Sequence, residues 1–407
     1  MRHQGLTVAL ALIALLAGAG PTGAQPKPCD IDNLPAATLL LPYFEVTLTD
    51  PLDGSALVAV TNTSAVTRIA HVTLWTNWAI PTVSFDIVLT PNDVQTFDLA
   101  NLFLRDPILQ AETSGCTGAL RPGTLHWNTA LQPGTTPAEQ RTRLIQAHRG
   151  EVMPLSNGSF LAGAAQANGP DGVRGYVTID VVNRCNAIFP STPGYFRKGG
   201  RGIASDANAL IGDVIWAGYR HSVAYGEPLV HIRAHPTAFK PGDYTFYGRY
   251  VRGQATDDRQ ALGRRWASRY LAGPIGVSQV LSNLLIWRDT KSSWARPLRV
   301  GVSPPWLPLP LTSFEDWDEG EDPVGSTLDP AAVSLATQRI DLSDPDVYSP
   351  GSPYGWLRMD LGHTKGALFG EDAQAWVVLL AKADNFPNNG TDAGVGFRAF
   401  PLTGRCK

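Results

Sequence analysis

The sequence predicts an all-β, mainly antiparallel protein built from immunoglobulin-like β-sandwiches with an irregular, partly helical insertion. Three observations carry this. Apolar and polar residues alternate with period two over many short segments. Turn residues punctuate those segments at roughly 8–12-residue spacing, as in antiparallel sandwiches. The 40 glycines and 32 prolines are spread along 407 residues instead of gathered in one tract, so they read as frequent turns and not as disorder.

At the N-terminus, Arg2 and His3 precede an apolar run, Leu6 to Ala17, and the small residues Thr22-Gly23-Ala24. This is the pattern of a signal peptide, residues 1–24, cleaved after Ala24. As a helix the run spans ~18 Å, short of the ~30 Å bilayer core. The mature chain is expected to be secreted, extracellular or periplasmic. The longest later apolar stretch, Ala373 to Ala383, is strand-sized and contains Lys382, so no membrane span is expected. Cys29, Cys116, Cys185 and Cys406 all follow the cut. An even number in an oxidising compartment reads as two disulfides, with three pairings open. Domain termini often lie close together, which favours Cys29–Cys406 with Cys116–Cys185.

Residues 25–300 are expected to form an N-terminal sandwich domain. Its first strands are Leu57 to Asn62, Arg68 to Trp75, Val83 to Leu89 and Val94 to Leu99. Within the second of these, Ala70, Val72 and Leu74 form an apolar face, and Ile69, His71, Thr73 and Trp75 share the other. Residues 101–172 are weakly patterned and read as an insertion. There, Thr136-Pro137-Ala138-Glu139 supplies an N-cap, a first-turn proline and a capping-box glutamate, predicting a helix to about His148. Phe160 to Ala167 reads as one or two further helical turns. Strands resume at Gly175 to Val182, then at Asp213 to Tyr219, Leu229 to His235, Tyr244 to Tyr250, Trp266 to Leu271 and Val280 to Trp287. Prolines 304, 305, 308 and 310 exclude a central strand over 301–310, which reads as a linker or crossing to a C-terminal β region, 311–407.

Several strings, Leu41-Pro-Tyr-Phe-Glu45, His71-Val-Thr-Leu-Trp75, Gly175 to Val182, Asp243 to Tyr250 and Ile286-Trp-Arg-Asp289, resemble those of exported bacterial proteins with no assigned activity. The resemblance implies export and transfers no catalytic residue.

The chain has no G-x-S-x-G elbow, Walker loop or dinucleotide fingerprint. Gly199-Gly200-Arg201-Gly202 follows no strand-to-helix unit and reads as a mobile loop. His231 and His235 have the spacing of helical zinc ligands. Pro228, Val230, Ile232 and Pro236 instead put them on a strand, where they lie ~13 Å apart. The acidic stretch Asp316 to Asp322 offers Asp316, Asp318 and Glu319 as calcium ligands, and Asp384 to Asp392 is a second oxygen-rich loop. No other cofactor is expected. Trp75 with Trp78, or Trp287 with Trp294, are candidates for stacking on sugar rings, in competition with ordinary core positions. A net charge of −3 and a pI near 6.2 give no electrostatic case for nucleic acid. The reading is a secreted non-catalytic protein with a structural, adhesive or ligand-binding role, its partner an extracellular glycan or protein. The alternative is a secreted hydrolase acting on glycans or other extracellular polymers, whose paired carboxylates would meet only in space.

Overall fold

The computed structural model describes residues 34–49, 53–105, 115–128, 131, 134–150, 153–154, 160–161, 172–218, 223–240, 243–251, 256–275, 278–290, 307–349, 351–362, 373–384, 393–398 and 400–401. The signal segment, Cys29, Cys406, Trp294 and residues 385–392 lie outside them.

In chain order the strands are β1 (Thr38–Thr47), β2 (Asp53–Asn62), β3 (Arg68–Thr76), β4 (Pro81–Leu89), β5 (Val94–Asp98), β6 (His126–Trp127), β7 (Met153–Pro154), β8 (Phe160–Leu161), β9 (Gly172–Val182), β10 (Leu210–Gly218), β11 (Val223–Pro228) and β12 (Val230–Ile232). They continue as β13 (Arg265–Ile275), β14 (Ser278–Arg288), β15 (Ser313–Asp318), β16 (Thr327–Leu328), β17 (Thr337–Asp341), β18 (Tyr348–Ser349), β19 (Tyr354–Asp360), β20 (Ala375–Asp384), β21 (Ala393–Arg398) and β22 (Phe400–Pro401). Among the described residues two α-helices accompany them, α1 (Leu99–Leu104) and α2 (Pro137–Arg149).

Three antiparallel sheets form layers. The first has the order β11-β10-β2-β5 and the second β12-β1-β9-β3-β4-β6. The third runs β15-β19-β13-β14-β20-β21, with β17 on β14 and β22 on β13. One core lies between the first two sheets. Ala70, Val72 and Leu74 of β3, Val83, Phe85 and Ile87 of β4, and Val177, Ile179 and Val181 of β9 meet Ala56, Val58 and Val60 of β2 there. Each such large side chain contributes ~1.5–3 kcal/mol by leaving water. The expected parity of β3 is the observed one.

A second core joins the middle sheet to the third. Leu40, Tyr43, Trp75 and Tyr176 pack with Trp266, Tyr270, Leu284, Ile286, Leu357, Met359 and Trp376. The middle sheet is therefore covered on both faces, and all nine residues of β4 are buried. A register shift between Leu41 and Phe44 reverses the facing of β1. Leu39 and Leu41 before it, and Phe44 and Val46 after it, all reach the first core, and Tyr43 turns to the second.

The expected division at 301–310 is corrected. β13 and β14 precede that tract, yet they pair with β19 and β20, which follow it. The third sheet therefore begins near residue 265. Leu307 and Leu309 pack in a small core with Trp78, Ile80, Leu131 and Ala147. Tyr244 to Tyr250, expected as a strand, is a turn ending in a 3-10 helix, with Phe246 and Tyr247 directed into the second core. Of the stretch Phe160 to Ala167, expected as helical turns, Phe160–Leu161 is strand β8, paired with β7, and residues 162–167 lie outside the described residues.

Helix α2 forms where the capping box predicts. Thr136 Oγ1 accepts from the Glu139 N–H, Glu139 accepts from the Thr136 N–H, and Gly150 closes the C-terminus at φ 76°. Its buried His148 bridges Thr82 Oγ1 (2.9 Å) and the Arg174 carbonyl (2.9 Å). The approach requires Gly175, since a Cβ there would stand 2.2 Å from the Trp75 oxygen and 3.0 Å from His148 Nδ1. Cys116 and Cys185 form a disulfide with Cα atoms 5.7 Å apart, tying the loop after α1 to the end of β9.

Candidate functional site

The polar side chains of the middle sheet line up in rows on the face toward the third layer. Asp86, His71, Asp180 and Thr38 occupy aligned positions on β4, β3, β9 and β1. His71 Nδ1 lies 2.6 Å from Asp86 Oδ1, and Asp86 Oδ2 accepts the Asn186 N–H at 2.6 Å. Asp180 accepts from the Thr38 hydroxyl and from the hydroxyls of Tyr195 (2.9 Å) and Tyr247 (3.1 Å). Arg259 reaches into this row. Its Nε donates to Thr38 Oγ1 (2.5 Å), Nη1 to the Asp257 carbonyl (2.9 Å) and Nη2 to the Ser205 carbonyl (3.0 Å). It stands 3.7 Å from Asp180 and 3.6 Å from Asp206. One guanidinium thus holds the segments around 195, 205 and 257 onto the sheet.

This enclosure perturbs its acids. Burial pushes the carboxyls of Asp257 and Asp206 up to about 7, against the pull of Arg259. Burial, and then the charge of Asp180, lifts the Tyr195 and Tyr247 hydroxyls well above their ordinary value. In the adjacent row Ser84 stands opposite Thr73 on β3 and opposite His126 on β6. Ser84, His71 and Asp86 are the residue types of a nucleophile, base and orienting acid. His71 and Ser84 are completely buried and Asp86 nearly so, and Ser84 Oγ and His71 Nε2 make no hydrogen bond among the described residues. A triad is defined by that bond and by access, and this set has neither.

Two further knots fix the third sheet. Asp289 accepts from Tyr244 and Arg249, and Gln374 Nε2 donates to the Tyr244 oxygen at 3.1 Å. The Arg288 guanidinium donates to four carbonyls, those of Leu309 (3.3 Å), Val333 (2.6 Å), Pro310 (2.7 Å) and Leu361 (2.8 Å). Burial lowers its pKa to about 9.

The solvent side of the third sheet is different. Trp317 on β15, Trp356 on β19 and Arg269 on β13 stand side by side in register. Both tryptophans are half-buried, and Arg269 and Tyr354 are exposed. The Arg269 guanidinium carbon sits 4.7 Å above the Trp356 ring, and that of Arg358 lies 5.6 Å from the Trp317 ring. Arg358 pairs with Glu315 at 2.6 Å, whereas Arg269 makes no ion pair among the described residues. Strand alternation alone aims these side chains outward, because Trp266, Tyr270, Leu357 and Met359 take the inward parity.

The sequence-predicted site residues fall elsewhere. Trp75 is fully enclosed, donating Nε1–H to Thr178 Oγ1 at 2.9 Å, and stacks on Tyr176 at 5.6 Å. Trp78 is 5 % exposed and Trp287 1 %. The expected sugar-stacking role of Trp75 and Trp78 is therefore corrected: a third layer covers the face on which Trp75 lies, and Trp78 packs in the small core with Leu307 and Leu309. Asp316 and Asp318 of the expected calcium set are engaged within the protein. Asp316 accepts from the Tyr348 hydroxyl (3.0 Å) and the Ser326 N–H (3.2 Å). Asp318 closes its own turn by accepting from the Gly320 and Asp322 N–H groups, and Glu319 points to solvent. Among the described residues no group of three or more His, Cys, Asp or Glu side chains is arranged to hold a metal ion.

His231 lies on strand β12, its ring within hydrogen-bonding distance of the Leu34 and Gly212 carbonyls. The glycine-rich turn is pinned, since Asp258 accepts the Gly199 N–H and Asn183 donates to the Gly200 and Gly202 carbonyls. Sequence reasoning missed Trp317, Trp356 and Arg269. Their signal was present in the alternation of Trp356 and Arg358 with Leu357 and Met359. No protein-family model matches the chain, and neither the curated proteins nor the solved structures include a match to it.

Proposed function

We propose that the chain is an exported, non-catalytic β protein that acts by binding, through the outward face of its third sheet. One contrast carries this reading. The charged groups of the interior are engaged in bonds that hold the layers together, as at Arg259, Asp180 and Arg288, while Arg269 stands exposed beside two tryptophans. The leader-like residues 1–24 and the Cys116–Cys185 disulfide support an oxidising, extracytoplasmic destination. Purified chain is to be incubated with chromogenic esters and a panel of glycan substrates, beside Ser84→Ala. The expected result is no turnover above buffer in either protein. Turnover by the native chain that is lost in Ser84→Ala would overturn the non-catalytic reading. Cell fractionation with N-terminal sequencing tests export. A start at Gln25 outside the cytoplasm is expected, and an intact Met1 on a cytoplasmic product refutes it.

A further inference from the structure

We propose that Trp317, Trp356, Tyr354 and Arg269 form a binding site for an acidic glycan, a chain of pyranose rings carrying carboxylate or sulfate groups. The inference rests on the binding role proposed above and names the ligand class for that face.

Three features favour this ligand. The first is aromatic surface on one sheet face. Trp317 and Trp356 face each other across neighbouring strands, and Tyr354 lies one side-chain row further along β19 and is 45 % exposed. Neighbouring strands are ~4.8 Å apart and successive rows ~6.8 Å apart. A face three strands wide and three rows long therefore suits two or three sugar rings. The second is a prepared anion receptor. A guanidinium stacked on an indole keeps its in-plane N–H donors free for bidentate contact with a carboxylate or sulfate. Arg269 lies over the Trp356 ring with its guanidinium carbon 4.7 Å from the centroid, is exposed and has no carboxylate partner among the described residues. The third is one unmatched positive charge. Arg358 and Arg265 are met by Glu315 (2.6 Å) and Asp360 (3.0 Å), and the acidic turn Asp318 to Asp322 follows Trp317, so Arg269 is the arginine of this face that no carboxylate meets among the described residues.

Other anionic partners fit less well. A phosphate backbone carries a charge at every residue and is met by several basic side chains, whereas Arg265 and Arg358 are already paired here and Arg269 alone is unmatched among the described residues. A bilayer calls for exposed aliphatic anchors, whereas only half-buried Leu271 stands opposite Tyr354 here.

The test is calorimetric titration of the full chain with an oligogalacturonate, a carrageenan oligosaccharide and neutral cellohexaose. Saturable binding of at least one acidic sugar is expected, weakened by salt and at least tenfold tighter than cellohexaose. Arg269→Gln should weaken it at least tenfold with an unchanged melting temperature, and Arg201→Gln, at an exposed position elsewhere, should leave it unaltered. Trp356→Ala should abolish it. Because Trp356 is half-buried, the exposed Arg269 variant decides the matter if that protein folds poorly. Equal affinity for cellohexaose, native-like binding by Arg269→Gln, or binding of no acidic sugar overturns the proposal. Neutral-sugar binding lost in Trp356→Ala would refute the acidic ligand yet leave the binding role standing. Cleavage of any of the sugars would instead refute the non-catalytic reading.

Discussion

Asp257→Asn should change how stability depends on pH. Asp257 is 2 % exposed, and its Oδ1 accepts the Arg259 N–H at 2.8 Å. Burial raises the carboxyl to about 7 in the folded chain, against ~3.9 when unfolded. The folded pKa is the higher one, so the stabilising contribution of the protonated acid is complete below pH ~4 and is lost as pH rises through about 7. A tenfold difference in proton affinity between the folded and unfolded chain is worth ~1.4 kcal/mol, so the native protein forfeits roughly 2–3 kcal/mol between pH 5 and 8 from this group. Asparagine keeps the Oδ1 acceptor and cannot ionise. His148 runs the other way: burial lowers its pKa to about 4, so its contribution is present above ~6.5 and lost as pH falls through about 4. The difference between variant and native chain cancels His148 and reports Asp257 together with its coupling to Asp206, whose carboxyl the Asp257 charge helps to raise. Urea melts at half-unit steps from pH 5 to 8 should show the variant gaining on the native chain by ~2–3 kcal/mol across the range. Parallel curves would refute the account of the Arg259 hub.

Three further outcomes are expected. Arg288→Met takes the donor from four carbonyls, three of them buried, those of Leu309, Val333 and Leu361; at ~1–3 kcal/mol for each buried unsatisfied group, a loss of at least ~3 kcal/mol is expected in chemical melts, and a loss below ~1 kcal/mol contradicts the assigned role. Replacing Cys116 and Cys185 together by alanine removes a cross-link over a sequence separation of 69 and should cost ~4 kcal/mol. A non-reducing peptide map of the native chain should join Cys116 to Cys185 and Cys29 to Cys406; alkylation of either residue of a pair in the native chain refutes that pair.

Much of the fold was legible locally. The Thr136–Glu139 capping box marked the start of α2, and the alternation Ala70, Val72, Leu74 marked the inward face of β3. The failures share one cause. His71, Thr73 and Trp75 share the face of β3 opposite its apolar one, with nothing in the sequence to show what lies on it, and segments from 195 to 262 and the third sheet cover them. The same covering sealed the expected ligand-binding tryptophans. It also made a buried charge network of Asp180 and Arg259, residues 79 positions apart in the chain. The proline tract at 301–310 looked like a boundary because proline leaves sheets. Nothing local shows that strands before and after such a tract pair across it, as β13 and β14 do with β19 and β20.

The amino-acid pattern by itself determined that this chain makes antiparallel strands, one well-capped helix and cysteines able to bridge. Only the tertiary structure decided that there are three layers, which polar rows are sealed between them and which aromatic residues stay outside. The physical reason is that period-two alternation tells on which side of a strand a residue lies, while what is stacked on that side depends on contacts between residues far apart in the chain.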